Sequence, residues 1–224
     1  MKQRVVLGLL VAVCASPGWA LPIVEFSPDA STAGSWTYNA GLDVISFNQD
    51  ITVDRGASSN ADGLVDARVY LPTMLVTGSG GAYNLQPLGS QQVHITNGTG
   101  NVLYMVGTLG QGDLATIGTI GAGYSQFSTD LTNLVVTPAG QALGSAALDI
   151  INSMTNPSLD FELALSGASN GNYTSFAQMI DGGFSGSGGF SGAMSVPEPT
   201  TVALLGLGGL SLLRQRRRRN CLQS

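Results

Sequence analysis

Short segments in which apolar and polar residues alternate recur along the middle of this chain. The alternation is clearest in residues 45–53, 65–71 and 159–165. Two further segments, 93–96 and 102–106, flank Asn97-Gly98-Thr99-Gly100, and other strands are predicted near 36–39, 74–77, 114–120, 124–128 and 133–137. Period-two alternation is typical of strands with one buried face, and an Asn-Gly turn between two strands predicts a hairpin. We therefore expect a mainly β body over residues 21–181, a single antiparallel β-sandwich of jelly-roll type.

One helical segment interrupts the strands. Its apolar residues recur at helical spacing and form one stripe: Ala142, Leu143, Ala146, Ala147, Ile150, Ile151 and Met154. Thr137 can cap the start of this helix, Pro138 suits its first position, and Asn156-Pro157 ends it. We expect this one short helix to pack over an end or a face of the sandwich.

The first twenty residues have the pattern of an export signal. Lys2 and Arg4 give it a basic start, residues 5–13 are apolar, and Gly18-Trp19-Ala20 fits the small-x-small cleavage pattern. We expect the Sec machinery to export the chain and signal peptidase to cleave after Ala20. The mature protein would then start at Leu21, and residues 1–20 would be removed.

The C-terminal part of the chain has a distinctive order of elements. A Gly/Ser-rich stretch, 182–195, predicts a flexible linker. The apolar run 200–213 would form a helix of about 21 Å, short against a hydrocarbon core of roughly 30 Å. Before this run stand Val196, Pro197, Glu198 and Pro199, and after it come a basic cluster and the tail 220–224; the cluster contains Arg214, Arg216, Arg217, Arg218 and Arg219.

The three-part pattern of residues 196–219 resembles the PEP-CTERM sorting signal of Gram-negative bacteria. The arginines would stay on the cytoplasmic side, which places the Pro-Glu-Pro element at the outer face of the membrane. The resemblance implies recognition by an exosortase, a membrane-embedded enzyme of the thiol transpeptidase type, and transfer to the cell surface or to exopolysaccharide. The alternative is a plain C-terminal membrane anchor, which the short apolar run disfavours.

Removing both targeting segments changes the charge of the protein. Only Arg55 and Arg68 are basic among residues 21–199, whereas all fourteen acidic residues lie there, so this part carries a net charge of −12. A body this acidic repels phosphate backbones, which excludes nucleic acid as a partner. Both cysteines, Cys14 and Cys221, lie in the segments expected to be removed, so the mature fold would have neither disulfides nor thiol chemistry.

Candidates for catalysis are few in the body. His94 is the single histidine, and its place between Val93 and Ile95 in a predicted strand points its side chain outward. Asp160 and Glu162 share one strand face, as a glycosidase pair could, but such a pair needs a cleft that one strand does not supply. We therefore expect no enzymatic activity and no catalytic residue.

The best candidate for a ligand site is a calcium loop at residues 58–66. Ser58, Asn60, Asp62 and Asp66 supply oxygen ligands at EF-hand-like spacing, and Gly63 occupies the turn position. Val69 stands where the twelfth, chelating acid belongs, so calcium would bind weakly. The alternative is an Asx-rich turn between two strands. No other cofactor is expected.

These observations predict an exported surface or matrix protein whose body is not catalytic. The first alternative is a sugar-binding module that contacts exopolysaccharide through exposed aromatic side chains, with Trp36, Tyr38, Tyr83 and Tyr173 as candidates. A secreted hydrolase is the second alternative.

Overall fold

The computed structural model describes residues 22–28, 36–47, 51–58, 62–117, 124–167, 173 and 175–197. The described residues from Pro22 to Val196 belong to one compact unit. Its strands are β1 (Pro22–Pro28), β2 (Trp36–Asn39), β3 (Val44–Phe47), β4 (Ile51–Gly56), β5 (Arg68–Tyr70), β6 (Met74–Ser79), β7 (Ala82–Pro87), β8 (Gln92–Thr96), β9 (Leu103–Leu109), β10 (Gly112–Ile117), β11 (Tyr124–Val136), β12 (Leu159–Ser166), β13 (Gly186–Gly188) and β14 (Phe190–Ser195). Its helices are α1 (Pro138–Gln141), α2 (Ala146–Ser153) and α3 (Phe176–Asp181).

Eight of the strands close into a barrel, so the prediction of a β-sandwich is wrong. The ring runs β1-β4-β5-β8-β9-β11-β12-β14 and returns to β1, with every neighbouring pair antiparallel. Its closure depends on β11, which is 13 residues long. Residues 124–131 of β11 pair with β12, and residues 131–136 pair with β9. The sequence predicted two separate strands here, and neither alone could join both neighbours.

The remaining six strands form a branch in the order β10-β7-β6-β3-β2-β13. The branch leaves the barrel where β10 pairs with the first half of β11. The other end of the branch is linked to the barrel covalently, because Gly189 alone connects β13 to β14. The Trp36 indole N–H bridges this junction by donating to the carbonyls of Ser166 and Gly189, both at 2.9 Å.

Aromatic contacts fill the interior of the barrel and of the branch. On the barrel strands, the Phe161 ring lies 5.8 Å from Phe26 and 6.4 Å from Phe127 between centroids. In the branch, Trp36 packs against Phe176 of α3 at 5.1 Å. All five rings are buried, and side chains on alternate positions of the strands join them in one core.

The helical segment starts as predicted but does not bury all of the predicted stripe, because Ile150 on that stripe is exposed and Leu148 off it is buried. Thr137 caps α1 by accepting a hydrogen bond from the Gly140 N–H, and Pro138 is the first helical residue, as predicted. The segment is two helices rather than one, because Gly144 has a φ of 71° between them and Ser145 caps α2 anew. α1 packs against β9 and α2 against β11. The sequence analysis did not predict α3, whose Phe176 and Met179 are buried.

The predicted Gly/Ser linker at 182–195 is strand in the structure, with β13 and β14 occupying most of it. β14 is a central strand of the barrel, between β1 and β12. Gly192 shows why a strand here contains glycine, because its register partners are the large side chains Phe26 and Leu163. A Cβ at this position would overlap the Phe26 ring and lie 2.8 Å from a Leu163 methyl carbon. Glycine here makes room for the core and does not indicate flexibility.

Gly192→Ala should therefore destabilise the barrel by about 1–3 kcal/mol, the usual cost of forcing an extra methyl into a packed core. Thermal or urea unfolding of the exported protein measures the change. Ser191→Ala is the matched control, because Ser191 is the exposed neighbour in the same strand and should change stability little. Equal, negligible effects of both substitutions would mean that this segment is a linker after all.

Candidate functional site

The two ends of the described chain lie side by side. Pro22, the first residue of β1, and Ser195, the last residue of β14, are register partners. Pro22 follows the predicted mature start, Leu21, directly, and Ser195 directly precedes Val196, the first residue of the predicted sorting signal. The segments predicted to direct export and sorting therefore join two neighbouring strands at the same end of the barrel.

The end of β14 is held on both sides. Ser195 lies between Pro22 of β1 and Asp160 of β12. Val196 is partly buried and packs against the core, whereas Pro197 is exposed. No spacer separates the last barrel strand from the Pro-Glu-Pro element, contrary to the prediction of a linker.

The barrel runs directly into the segment that the sequence predicts to be a sorting signal. Residues 195–219 match the family described as the PEP-CTERM protein-sorting motif, which confirms the predicted signal. This motif implies export and membrane-associated sorting by an exosortase. No curated protein and no solved structure matches the chain.

Several residues of the predicted signals lie outside the described part of the chain. These are Ala20 and Leu21 at the export cleavage site, Glu198 and Pro199, the apolar run 200–213, and the arginines Arg214, Arg216, Arg217, Arg218 and Arg219. None of the three helices in the described ranges has both the length and the apolar character that crossing a membrane requires.

Asp62, the central residue of the predicted calcium loop, points into the protein and is buried. Its Oδ1 accepts the Leu64 N–H at 2.9 Å, and its Oδ2 accepts the Ala147 N–H of α2 at 3.3 Å. Hydroxyl groups of Ser58 and Ser145 also bond to this carboxylate. Asp62 thus ties the turn before β5 to the first turn of α2, where a negative charge is favourable.

The hydrogen bonds to Asp62 determine its protonation. Burial alone would raise the pKa of this carboxyl, but the hydrogen bonds outweigh burial and lower its pKa below the ordinary value. Ser145 contributes the largest of these lowering effects, followed by the Leu64 and Ala147 amides. The carboxylate is therefore charged and satisfied by the protein itself.

Of the other predicted calcium ligands within the described residues, Ser58 donates to the Asp62 carboxylate at 3.4 Å. Asp66 is exposed and has a φ of 67°, and Ser58 is exposed at the surface end of the turn. Asn60 lies outside the described residues. In the described ranges, no group of three or more His, Cys, Asp or Glu side chains is placed to hold a metal ion. Calcium binding by Ser58, Asn60, Asp62 and Asp66 remains a proposal, with a Kd of about 10⁻⁴ to 10⁻³ M expected for such a site.

Asp62→Asn should destabilise the barrel by about 1–3 kcal/mol at neutral pH, because its amide would face the Ala147 N–H with a donor. A lowered folded-state pKa stabilises the fold above the ordinary aspartate value of about 3.9, and this stabilisation is lost as pH falls through the lowered pKa. The difference between wild type and variant should therefore shrink in acid. Urea unfolding across pH 2–7, with calcium and with chelator, measures it.

Asp66→Asn is the control for this substitution, since Asp66 lies in the same turn but is exposed, and asparagine tolerates a positive φ. It should be nearly neutral in both media. A destabilisation by Asp62→Asn that occurs only in calcium would instead identify the turn as a metal site.

The candidate residues for catalysis lie on two different strands, His94 on β8 and the acidic pair on β12. His94 lies on β8 with its neighbours Val93 and Ile95 fully buried, and its Nε2 lies 3.1 Å from the Gln92 Oε1. Its predicted outward orientation is therefore confirmed. Asp160 and Glu162 lie on the outer face of β12, and Glu162 lines a shallow groove of about 340 Å³ with Glu25, Asp54 and Gln126.

Asp160 also has an acidic neighbour on the adjacent strand. Its register partner on β11 is Asp130, so two carboxyl groups lie opposite each other across the strands. Partial burial, followed by the charge of Asp130, raises the pKa of Asp160. The sequence could not reveal this pair, because the register of β11 against β12 is a tertiary property.

Asp160→Asn should stabilise the barrel by about 0.2–1 kcal/mol at neutral pH, the range for cross-strand charge pairs. A raised folded-state pKa means that the charged form is disfavoured in the fold. The gain should be present at neutral pH and disappear below about pH 3.9, where the carboxyl is protonated in both states. Glu162→Gln, the exposed neighbour on β12, is the control in the same unfolding titration. A loss of stability in Asp160→Asn would show that the carboxylate is needed for packing.

The aromatic residues proposed for sugar contact are not on the surface. Trp36, Tyr38, Tyr83 and Tyr173 are all at most 3% exposed. The Tyr83 hydroxyl donates to Asp181 Oδ1 at 2.9 Å, and burial together with this bond raises the pKa of Tyr83 to about 12. Burial raises the pKa of Tyr38, and the hydrogen bond that its hydroxyl donates to Asp43 raises it further. The prediction of an exposed aromatic platform is wrong, because these side chains belong to the core.

Proposed function

We propose that this protein is a non-catalytic barrel that an exosortase delivers from the inner membrane to the cell surface or the extracellular matrix of a Gram-negative bacterium. The observation that carries the proposal is the sorting motif at residues 195–219, which starts where the barrel ends. The barrel is the exported cargo, and the tail directs where it goes. Signal peptidase and the Sec machinery act on the first twenty residues.

The absence of catalysis is supported by the chemistry that the mature chain offers. It has one histidine and no cysteine between the two targeting segments, and His94 interacts with Gln92 on its own strand. The acidic surface suits a component of a hydrated matrix, because a high net charge keeps a protein soluble and dispersed. Exopolysaccharide is the proposed destination to which the sorted barrel is transferred.

Replacing Pro197, Glu198 and Pro199 together with alanine should stop sorting without unfolding the barrel. The Pro-Glu-Pro element follows the last strand, so its loss removes recognition but no strand pairing. We expect the variant to remain in the inner membrane with its arginine tail, while wild type is recovered outside without it. Cell fractionation and intact-mass analysis, which also checks the start at Leu21, measure the outcome.

The matched control replaces Asn220, Leu222 and Gln223 with alanine, beyond the arginine cluster. This triple variant should be sorted as wild type. Surface delivery of the Pro-Glu-Pro variant without its arginine tail would contradict the proposed sorting.

A further inference from the structure

The sorting motif and the barrel share residues. The motif match begins at Ser195, which is the last residue of β14. Val196, the next residue of the motif, packs against the barrel core. The folded barrel therefore holds the first part of the segment that the sorting enzyme is expected to recognise.

The main chain at this position has no free edge. Ser195 is flanked by Pro22 on one side and by Asp160 on the other, as expected for a central strand. Enzymes and domains that bind an extended peptide commonly do so by pairing with its main chain. At Ser195 both sides are already covered by barrel strands, so an enzyme can reach only the chain beyond Val196 while the strand stays docked.

The same end of β14 is imperfectly paired with β1. The register between β1 and β14 is irregular between Pro22 and Val24, and Pro22 has no N–H to donate. Beside Ser195, Asp160 faces Asp130 across β12 and β11. Strand ends with imperfect pairing open locally at low free energy, whereas Met194 and Phe190 are buried and hold the rest of the strand.

We propose that the end of β14 gates sorting: the exosortase binds the motif only when Ser195 and Val196 have detached from β1 and β12. The remainder of β14 stays in the barrel during this step. The inference rests on the proposed sorting by an exosortase and adds that the barrel's closing strand controls access to the signal.

A disulfide across the gate tests the proposal. Pro22→Cys with Ser195→Cys, in full-length precursor carrying Cys14→Ser and Cys221→Ser, joins two register partners whose Cα separation in an antiparallel pair suits a disulfide. Co-expressed with its exosortase, this locked precursor should lose its tail at least about tenfold more slowly than wild type, because processing scales with the binding-competent fraction. Reductant should restore the rate.

Ser27→Cys with Thr52→Cys is the matched control, because it locks another pair of register partners, between β1 and β4, away from the gate. It should be processed as wild type. Tail removal from the locked Pro22–Ser195 precursor at the wild-type rate, with the disulfide verified by mass, would overturn the proposal.

A spacer gives an independent test that needs no disulfide. Inserting Gly-Ser-Gly-Ser-Val between Val196 and Pro197 keeps a valine before the Pro-Glu-Pro element and frees the chain in front of it. The spacer should speed processing and should make the locked precursor as fast as the unlocked one. The same insertion between Gly89 and Ser90, in the loop from β7 to β8, should change nothing.

Continued slow processing of the locked precursor with the spacer would overturn the proposal as well. The alanine variant of the Pro-Glu-Pro element distinguishes a failure of the proposed sorting from a failure of the proposed gate. If that variant is processed, sorting by the motif fails; if it is blocked while the lock has no effect, only the gate fails.

Discussion

The barrel depends on the contact between its first and last strands. β1 and β14 come from opposite ends of the described chain, and β14 pairs with β1 on one side and with β12 on the other. Without β14, the ring would be open and Phe26 would lose the surface above Gly192 against which it packs. Because β14 is the last strand of the described chain, the ring cannot close until this C-terminal strand is available.

This order has a consequence for an exported protein. The strand that closes the barrel is also the one that leads into the sorting motif. Because Pro22 and Ser195 are register partners, the predicted export signal and the sorting motif connect to the barrel at the same end. The paired ends of β1 and β14 thus both close the barrel and lead into the two predicted targeting segments.

A second long-range contact holds α2, which packs against the barrel strand β11. Asp62 accepts hydrogen bonds from its own turn and from the first turn of α2, distant in the sequence. A buried carboxylate is costly unless such bonds satisfy it, and here the bonds more than offset burial in their effect on its pKa. Asp62, one of the predicted calcium ligands, therefore has a structural role in the fold.

The sequence by itself determined the features that depend on local order. The sorting motif, the cap formed by Thr137 and Pro138, the hairpin between β8 and β9, and the strand at β12 all follow from neighbouring residues and their spacing. Only the tertiary structure decided that β11 joins two neighbours and closes a barrel, that Trp36 and Tyr38 are buried, and that residues 190–195 are strand. Alternation shows that a strand has a buried face, but it does not show which strand lies beside it. From the sequence alone, glycine at position 192 suggests flexibility. In the structure, the Phe26 ring, from the other end of the chain, fills the space that a side chain at position 192 would occupy.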